Sequence, residues 1–163
     1  QVYKLIRFMR RRCPGLENAV IMEVASRVGI RETRHIAGDY TLTSEDVMEA
    51  RRFPDAIARY AYPIDVHDPT GSNVHFVEIR GDFYEIPVRC LQVKGFKNLL
   101  VAGRCISADH EAHASVRVIP ACYATGEAAG TLAALAAKQG ADDVRKVDVE
   151  ALRETLRRQG AIL

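Results

Sequence analysis

The chain lacks several features that would assign it to a functional class at once. It has no tryptophan, only 7% aromatic residues and a net charge of +2 over 163 residues, a charge too small to indicate nucleic-acid binding. It has no run of about 18 apolar residues and no secretory signal pattern, so we expect neither a membrane span nor export. Together with the scattered cysteines described below, the absence of a secretory signal predicts a cytoplasmic protein.

Two motifs are also missing. The chain has no CxxC pair among its four cysteines, which are Cys13, Cys90, Cys105 and Cys122. Such scattered cysteines indicate free thiols that serve as small core residues. The chain also has no GxGxxG turn, the signature of the strand–turn–helix unit that binds the phosphates of a dinucleotide.

A hydrophobic fraction of 48% is enough for a folded core. Helical spacing predicts a helix over residues 2–9, followed by a basic end and Pro14. Strands are predicted over residues 19–28, 30–36, 40–42, 74–79 and 83–88. The second and third of these predict one hairpin, and the last two predict another. Thr43 and Asp46 have capping-box spacing, which predicts a short helix from Ser44.

Residues 98–137 are the most informative stretch. The apolar run at 99–102 predicts a strand buried on both faces, and a Gly- and Ala-rich helix is predicted to begin at about 123–126. The loop between them carries many ionisable side chains: Arg104, Asp109, His110, Glu111, His113 and Arg117. A strand end, a polar loop and a helix N-terminus are typical of a ligand site in an α/β protein.

The loop offers chemistry of two kinds. His110 and His113 could move protons near neutral pH, and Arg117 could hold an anion. The pair could also chelate a metal, but no third ligand follows at a characteristic spacing and HExxH is absent, so we expect no metal. Two alternatives stay open: a metal-dependent hydrolase that uses His110 and His113, and a non-catalytic binding or interaction module whose helix over 2–9 docks on a partner.

The segment LLVAGRCISADHEAHASVRVIPACYATGEAAGTLAAL at 99–135 resembles the C-terminal flavin-binding segment of the FAD-dependent oxidoreductase family. This family is a branch of the flavoproteins with two dinucleotide-binding domains, which include fumarate reductases and succinate dehydrogenases. Weaker likenesses follow the family's order at 29–47, 62–71 and 84–104. The resemblance therefore runs from about residue 24 to residue 137.

The resemblance implies FAD as the cofactor and hydride transfer between FAD and a polar small-molecule substrate. The residues that it places against the cofactor are Gly103, Arg104, Ala124, Thr125 and Gly126. The catalytic residues that it places opposite the flavin are His110, His113 and Arg117. A helix N-terminus would stabilise the negative charge of a reduced flavin.

Fold and domain boundaries follow from the same interpretation. We expect an α/β or α+β fold with a mixed sheet and flanking helices, in which residues 24–97 are substrate-domain-like strands. Residues 98–137 would contact FAD, and residues 138–163 would form a C-terminal helix. Because GxGxxG is absent and residue 1 is Gln, we expect a C-terminal fragment that binds FAD weakly or not at all without its missing N-terminal region. Self-association into a homo-oligomer is left open.

Overall fold

The computed structural model describes residues 1–27, 29–67 and 74–163. They divide into two compact units, Gln1–Ile30 and Arg31–Leu163. The smaller unit contains α1 (Val2–Arg12), which confirms the predicted helix. The strand predicted over 19–28 is wrong for 19–27, because no ladder partner forms in this unit among the described residues. Residue 28 lies outside the described residues.

The larger unit contains two separate strand pairs. β1 (Ala56–Tyr60) pairs with β4 (Tyr84–Pro87), and β2 (Ile64–His67) pairs with β3 (Val74–Val77). Both pairs are antiparallel, so the named strands form two small sheets and not the expected mixed sheet. The combination of helices and strands confirms the predicted α/β or α+β class.

Both predicted hairpins are wrong, because their strands pair with other partners. β3 and β4 follow each other in sequence, but the Arg80 amide between them donates to the Met48 carbonyl at 2.8 Å. The segments around Ile36 and Leu42 lie against residues 105–108: their amides donate to Cys105 and Ser107 carbonyls at 3.0 and 3.1 Å. The alternation of apolar and polar residues along a segment indicates extended chain, but it does not indicate which other segment that chain pairs with.

The capping box predicted at Thr43 is confirmed, and α2 (Ser44–Met48) begins there. The Thr43 hydroxyl accepts the Asp46 amide at 3.2 Å, and the Asp46 carboxylate accepts the Thr43 amide at 3.0 Å. The same buried carboxylate accepts the Tyr40 hydroxyl at 2.7 Å and Arg51 at 2.6 Å. Asp46 therefore links the helix to the segments on both sides of it.

Three further helices complete the larger unit: α3 (His110–Val116), α4 (Ile119–Gln139) and α5 (Val149–Arg158). α4 packs against both β1 and α5, and α3 packs against β2 and α2. The core between them includes the fully buried side chains of Leu42, Ile57, Tyr84, Ile86, Ile106 and Leu152. Among the residues that the structure describes, no helix combines the length and apolarity needed to cross a bilayer.

The four cysteines are free thiols, as predicted. Only Cys90 is buried, and burial raises the pKa of its thiol to about 12. Cys105 is exposed, so the prediction that each cysteine is a core residue is wrong there. Composition alone does not distinguish a core cysteine from an exposed one.

Replacing Asp46 with asparagine should destabilise the protein in a pH-dependent way. Burial alone would raise the pKa of Asp46, but hydrogen bonds from Thr43, Tyr40 and Arg51 outweigh burial and lower it. A carboxyl whose pKa is lowered by folding stabilises the fold above its unfolded value of about 4 and loses this effect as the pH falls through its folded value. We expect Asp46→Asn to lower the unfolding free energy by about 1–3 kcal/mol near pH 7, measured by urea denaturation.

The matched control is Glu45→Gln, an exposed carboxylate on the same helix. The difference between wild type and Asp46→Asn should shrink as the pH falls from about 4 through the lowered pKa of folded Asp46, below which the wild-type carboxyl is also neutral. A difference in unfolding free energy of equal size near pH 7 and well below pH 4 would show that the charge of Asp46 contributes nothing to stability.

Candidate functional site

The strand predicted at 99–102 is not formed. Leu100 makes a single antiparallel bridge to Gln92, and the Val101 amide donates to the Leu91 carbonyl at 2.9 Å. Leu99 is 42% exposed. The segment therefore pairs with residues 91–92 and is partly exposed to solvent, so it is not buried on both faces. An apolar run is compatible with burial on two faces but does not supply the neighbours that burial requires.

The helix after the polar loop begins earlier than predicted. α4 starts at Ile119, with Val118 as its N-cap and Pro120 in its first turn. Proline is favoured there because its missing N–H would have no helical acceptor and its fixed φ suits the helix. The prediction that this helix begins at about 123–126 is therefore wrong.

Thr125 consequently lies in the second turn and is buried, with 1% of its surface exposed. Its hydroxyl donates to the Ala121 carbonyl at 2.7 Å and accepts the Gly103 amide at 3.0 Å. Gly103 has φ +72°, a left-handed conformation that favours glycine. Thr125 thus fixes the sharp turn at Gly103 to α4, and its hydroxyl is engaged within the protein.

The other predicted cofactor residues point in different directions. Ala124 is partly buried and packs against the hydrophobic core. Gly126 is exposed, and a Cβ built on it would meet no atom within 4 Å. Arg104 follows Gly103 in a 3₁₀ turn and lines a cleft at the start of α4. The structure therefore does not gather Ala124, Thr125 and Gly126 on one surface.

The polar loop contains a helix that the sequence did not reveal. α3 begins after Asp109, whose carboxylate accepts the amides of Ala112 and Ser44, both at 2.7 Å. One carboxylate thereby caps α3 and binds the first amide of α2. The helical turns set the directions of His110, His113 and the following Arg117.

These three predicted catalytic residues converge on one carboxylate that the sequence analysis did not select, that of Glu32. His110 Nδ1 lies 3.0 Å from Oε1 of Glu32. His113 Nδ1 lies 3.6 Å from Oε2, and an Arg117 guanidinium nitrogen lies 3.8 Å from Oε2. His35 Nε2 lies 3.5 Å from Oε1. The result is a cluster, here called the Glu32 cluster, of one carboxylate, three imidazoles and one guanidinium.

The environment of the Glu32 cluster favours an ionised carboxylate beside a neutral His113. Burial would raise the pKa of Glu32, but the hydrogen bond from His110 and the neighbouring imidazoles lower it below its ordinary value. Burial is also the main reason that the pKa of His113 is lowered, with a smaller contribution from Arg117. His113 has no exposed surface, whereas the His110 side chain is 66% exposed.

Beside the cluster lies a cleft of about 600 Å³. Its walls include three arginines and the first residues of α4: Arg31, Arg104, Arg117, Val118, Ile119 and Pro120. Arg117 is oriented by a 2.8 Å hydrogen bond to the Asp65 carbonyl. The Asp65 carboxylate also lines the cleft and pairs with His67 at 3.2 Å. Because the start of a helix carries a partial positive charge, this cleft is suited to an anionic ligand.

Comparison with known proteins decides the family. A model of a family described as FAD dependent oxidoreductase matches residues 1–156. The chain belongs to this family. No curated protein and no solved structure matches it. The family model covers more of this chain than residues 24–137, the range in which motifs suggested an FAD dependent oxidoreductase. It also includes α1 and most of α5.

The donor groups of the cleft fit the cofactor that an FAD dependent oxidoreductase uses. Arg104 and the first turn of α4 present positive charge to a common space, and an ionised flavin edge is negative. Of the predicted cofactor residues, Arg104 lines this space, and Gly103 is the residue immediately before Arg104 in the chain. The Gly103 turn is held in place through Thr125.

Thr125→Val should reveal the structural role of the Thr125 hydroxyl. Valine has nearly the same shape but cannot accept the Gly103 amide, so a partly buried donor would lose its partner. We expect the unfolding free energy to fall by about 1–3 kcal/mol in urea denaturation. Thr131→Val is the matched control, because the Thr131 hydroxyl on the same helix makes an exposed bond to Gln159. We expect Thr131→Val to lower the unfolding free energy by less than about 0.5 kcal/mol. Equal effects would contradict the assignment.

Proposed function

We propose that this chain forms the flavin-proximal and substrate-proximal part of an oxidoreductase that transfers a hydride between FAD and a polar small-molecule substrate. The observation that carries the proposal is the cationic cleft at the start of α4, in a chain of the FAD dependent oxidoreductase family. Bound FAD would supply the hydride acceptor or donor. The residues of this chain would bind, orient and neutralise charge around it.

Arg104 and the first turn of α4 are the groups that would hold the negative edge of the cofactor. Together, a guanidinium and a helix N-terminus stabilise an anion more than either does alone, because their fields add in the same space. Gly103 would let the backbone turn sharply beside this edge, with Thr125 as its support from within. Ala124 and Gly126 would shape the adjacent helix surface and make no polar contact.

Arg117 is the group that would orient an anionic or polar substrate. Its side chain is only 11% exposed, and both the Asp65 carbonyl and the Glu32 carboxylate restrict it. A guanidinium fixed in this way is ready to bind a carboxylate with little further loss of side-chain entropy. This is the role that the sequence analysis expected for Arg117.

His110 would handle the proton that accompanies hydride transfer. Its Nδ1 lies 3.0 Å from the Glu32 carboxylate, and this hydrogen bond orients the ring. His113 is buried, so it would act on a substrate only through Glu32. We therefore assign proton transfer to His110 and retain His113 as a member of the supporting cluster.

The division of the chain remains part of the proposal. Residues 98–137 would form the cofactor side of the cleft and residues 24–97 the substrate side, while 138–163 would support α4 through α5. The ADP half of FAD would be bound by polypeptide that carries the GxGxxG unit. The expected weak affinity of the isolated chain for FAD follows from this division.

Arg104→Gln provides a test that needs no knowledge of the substrate. In the enzyme expressed from its complete gene, we expect bound FAD and a lower two-electron midpoint potential in the variant, because the reduced flavin would lose a stabilising positive charge. A loss of about 1.4 kcal/mol corresponds to about 30 mV. Spectroelectrochemical titration measures the potential, and Arg157→Gln on α5 is the control. A purified enzyme without flavin, or equal potentials, would refute the assignment.

Arg117→Ala tests the substrate side separately. Small carboxylates and other polar metabolites would be screened for anaerobic bleaching of the flavin in the intact enzyme. For any compound that reduces the wild type, we expect the second-order rate of bleaching to fall on the order of 100-fold in the variant. Arg158→Ala should leave that rate unchanged. An unchanged rate in Arg117→Ala would remove Arg117 from the substrate site.

A further inference from the structure

We propose that Glu32, His35 and His113 form a binding site for a divalent transition-metal ion. One ligand atom from each of these residues lies within 4.8 Å of the other two. They come from two parts of the chain that are far apart in sequence, which is why no spacing pattern revealed them. The proposal rests on these side chains alone and does not depend on the proposed flavin chemistry.

The hydrogen bonds of the two histidines determine where their lone pairs point. His35 Nδ1 lies 3.1 Å from the Ala108 carbonyl, and His113 Nε2 lies 2.8 Å from the Arg104 carbonyl. A carbonyl oxygen can only accept, so both of these ring nitrogens carry hydrogen. In a neutral ring the lone pair is then on the other nitrogen, His35 Nε2 or His113 Nδ1, and those are the atoms that face Glu32.

Both inward nitrogens are buried without a hydrogen-bond partner among the described residues. The rings stack with centroids 4.1 Å apart, so two imidazolium charges would repel each other strongly. At least one ring therefore keeps a lone pair opposite the carboxylate. A buried ring nitrogen whose lone pair faces another acceptor costs free energy, and a cation between the two removes that cost.

The distances between these atoms suit such an ion. Ligands at about 2.1 Å from a tetrahedral ion are about 3.4 Å apart. His35 Nε2 lies 3.5 Å from Oε1 of Glu32 and His113 Nδ1 lies 3.6 Å from Oε2, and one ligand atom from each residue lies within 4.8 Å of the other two. Side-chain movements that draw these atoms together around the ion would complete the coordination.

The surrounding contacts are those that metal-binding histidines commonly have. Each ring donates its outer N–H to a backbone carbonyl, which fixes the tautomer and the ring orientation. His110 hydrogen-bonds the carboxylate and would act as a positioning residue. Arg117 lies 3.8 Å from Glu32, beyond hydrogen-bond distance, and donates instead to the Asp65 carbonyl.

The chemistry of the ligands identifies the class of ion. Two imidazoles and one carboxylate favour a borderline transition ion such as Zn²⁺, Co²⁺ or Fe²⁺ over Ca²⁺ or Mg²⁺, which prefer all-oxygen sites. Three protein ligands leave a coordination position for water or a ligand oxygen. In the sequence, His110 and His113 lack a third ligand at a characteristic spacing. In the structure, Glu32 and His35 join His113 as candidate ligands, and His110 lies beside them.

Co²⁺ is the probe that tests this site. It would be titrated into the purified 163-residue chain while the visible d–d absorption is recorded, followed by Zn²⁺ competition by calorimetry. We expect one equivalent to bind, with the intensity of a four- or five-coordinate site. Glu32→Gln and His35→Gln should each weaken binding at least about 100-fold, and His110→Gln about 10-fold. These residues are used because removal of the buried His113 could unfold the protein.

Glu111→Gln is the matched control, since Glu111 is an exposed carboxylate on α3 outside the site, and it should bind as the wild type does. Circular dichroism would verify that every variant is folded. Binding that is absent in the wild type, or equal in wild type and Glu32→Gln, would overturn the proposal. So would a near-ultraviolet thiolate-to-cobalt band, because that band would place the ion on the free cysteines.

Discussion

The position of α3 depends on a single carboxylate. Asp109 accepts the Ala112 amide at the start of α3 and the Ser44 amide at the start of α2, each at 2.7 Å. Its own amide donates to the Leu42 carbonyl at 2.9 Å. Two helices with few turns are thus joined at their N-termini, where a negative charge suits both dipoles. Without this junction, the end of α3 that carries His110 and His113 would lose its hydrogen-bonded cap and its link to α2.

The parts of the fold that sequence could predict are those with local causes. The capping box at Thr43 joins residues three positions apart, and α1 follows from spacing within one helix, so both were found. β3 pairs with β2, β4 pairs with β1, and the segment between β3 and β4 contacts α2, and the residues of β3 and β4 alone do not predict these partners. The start of α4 was misplaced for a different reason: Pro120 suits both a loop end and a first helical turn, and sequence alone did not distinguish them.

The candidate site was predicted in part. The histidines and arginine of the polar loop were selected for their chemistry, and the structure brings His110, His113 and Arg117 to one carboxylate. Glu32 was missed because alternation placed it and His35 on opposite faces of a strand. The segment is neither a strand nor a helix, and its irregular path brings both side chains into the cluster. No local spacing therefore signalled the cluster.

Arg117 belongs to both the cationic cleft and the Glu32 cluster, and this makes their electrostatics interdependent. As the structure stands, the Glu32 carboxylate offsets part of the guanidinium charge across 3.8 Å. A cation coordinated by Glu32 would withdraw that compensation and leave the cleft more positive, so an anion there would bind more tightly. By thermodynamic reciprocity, the anion would strengthen metal binding by the same factor. A half-buried carboxylate between two sites of opposite preference can therefore couple them without any change of backbone.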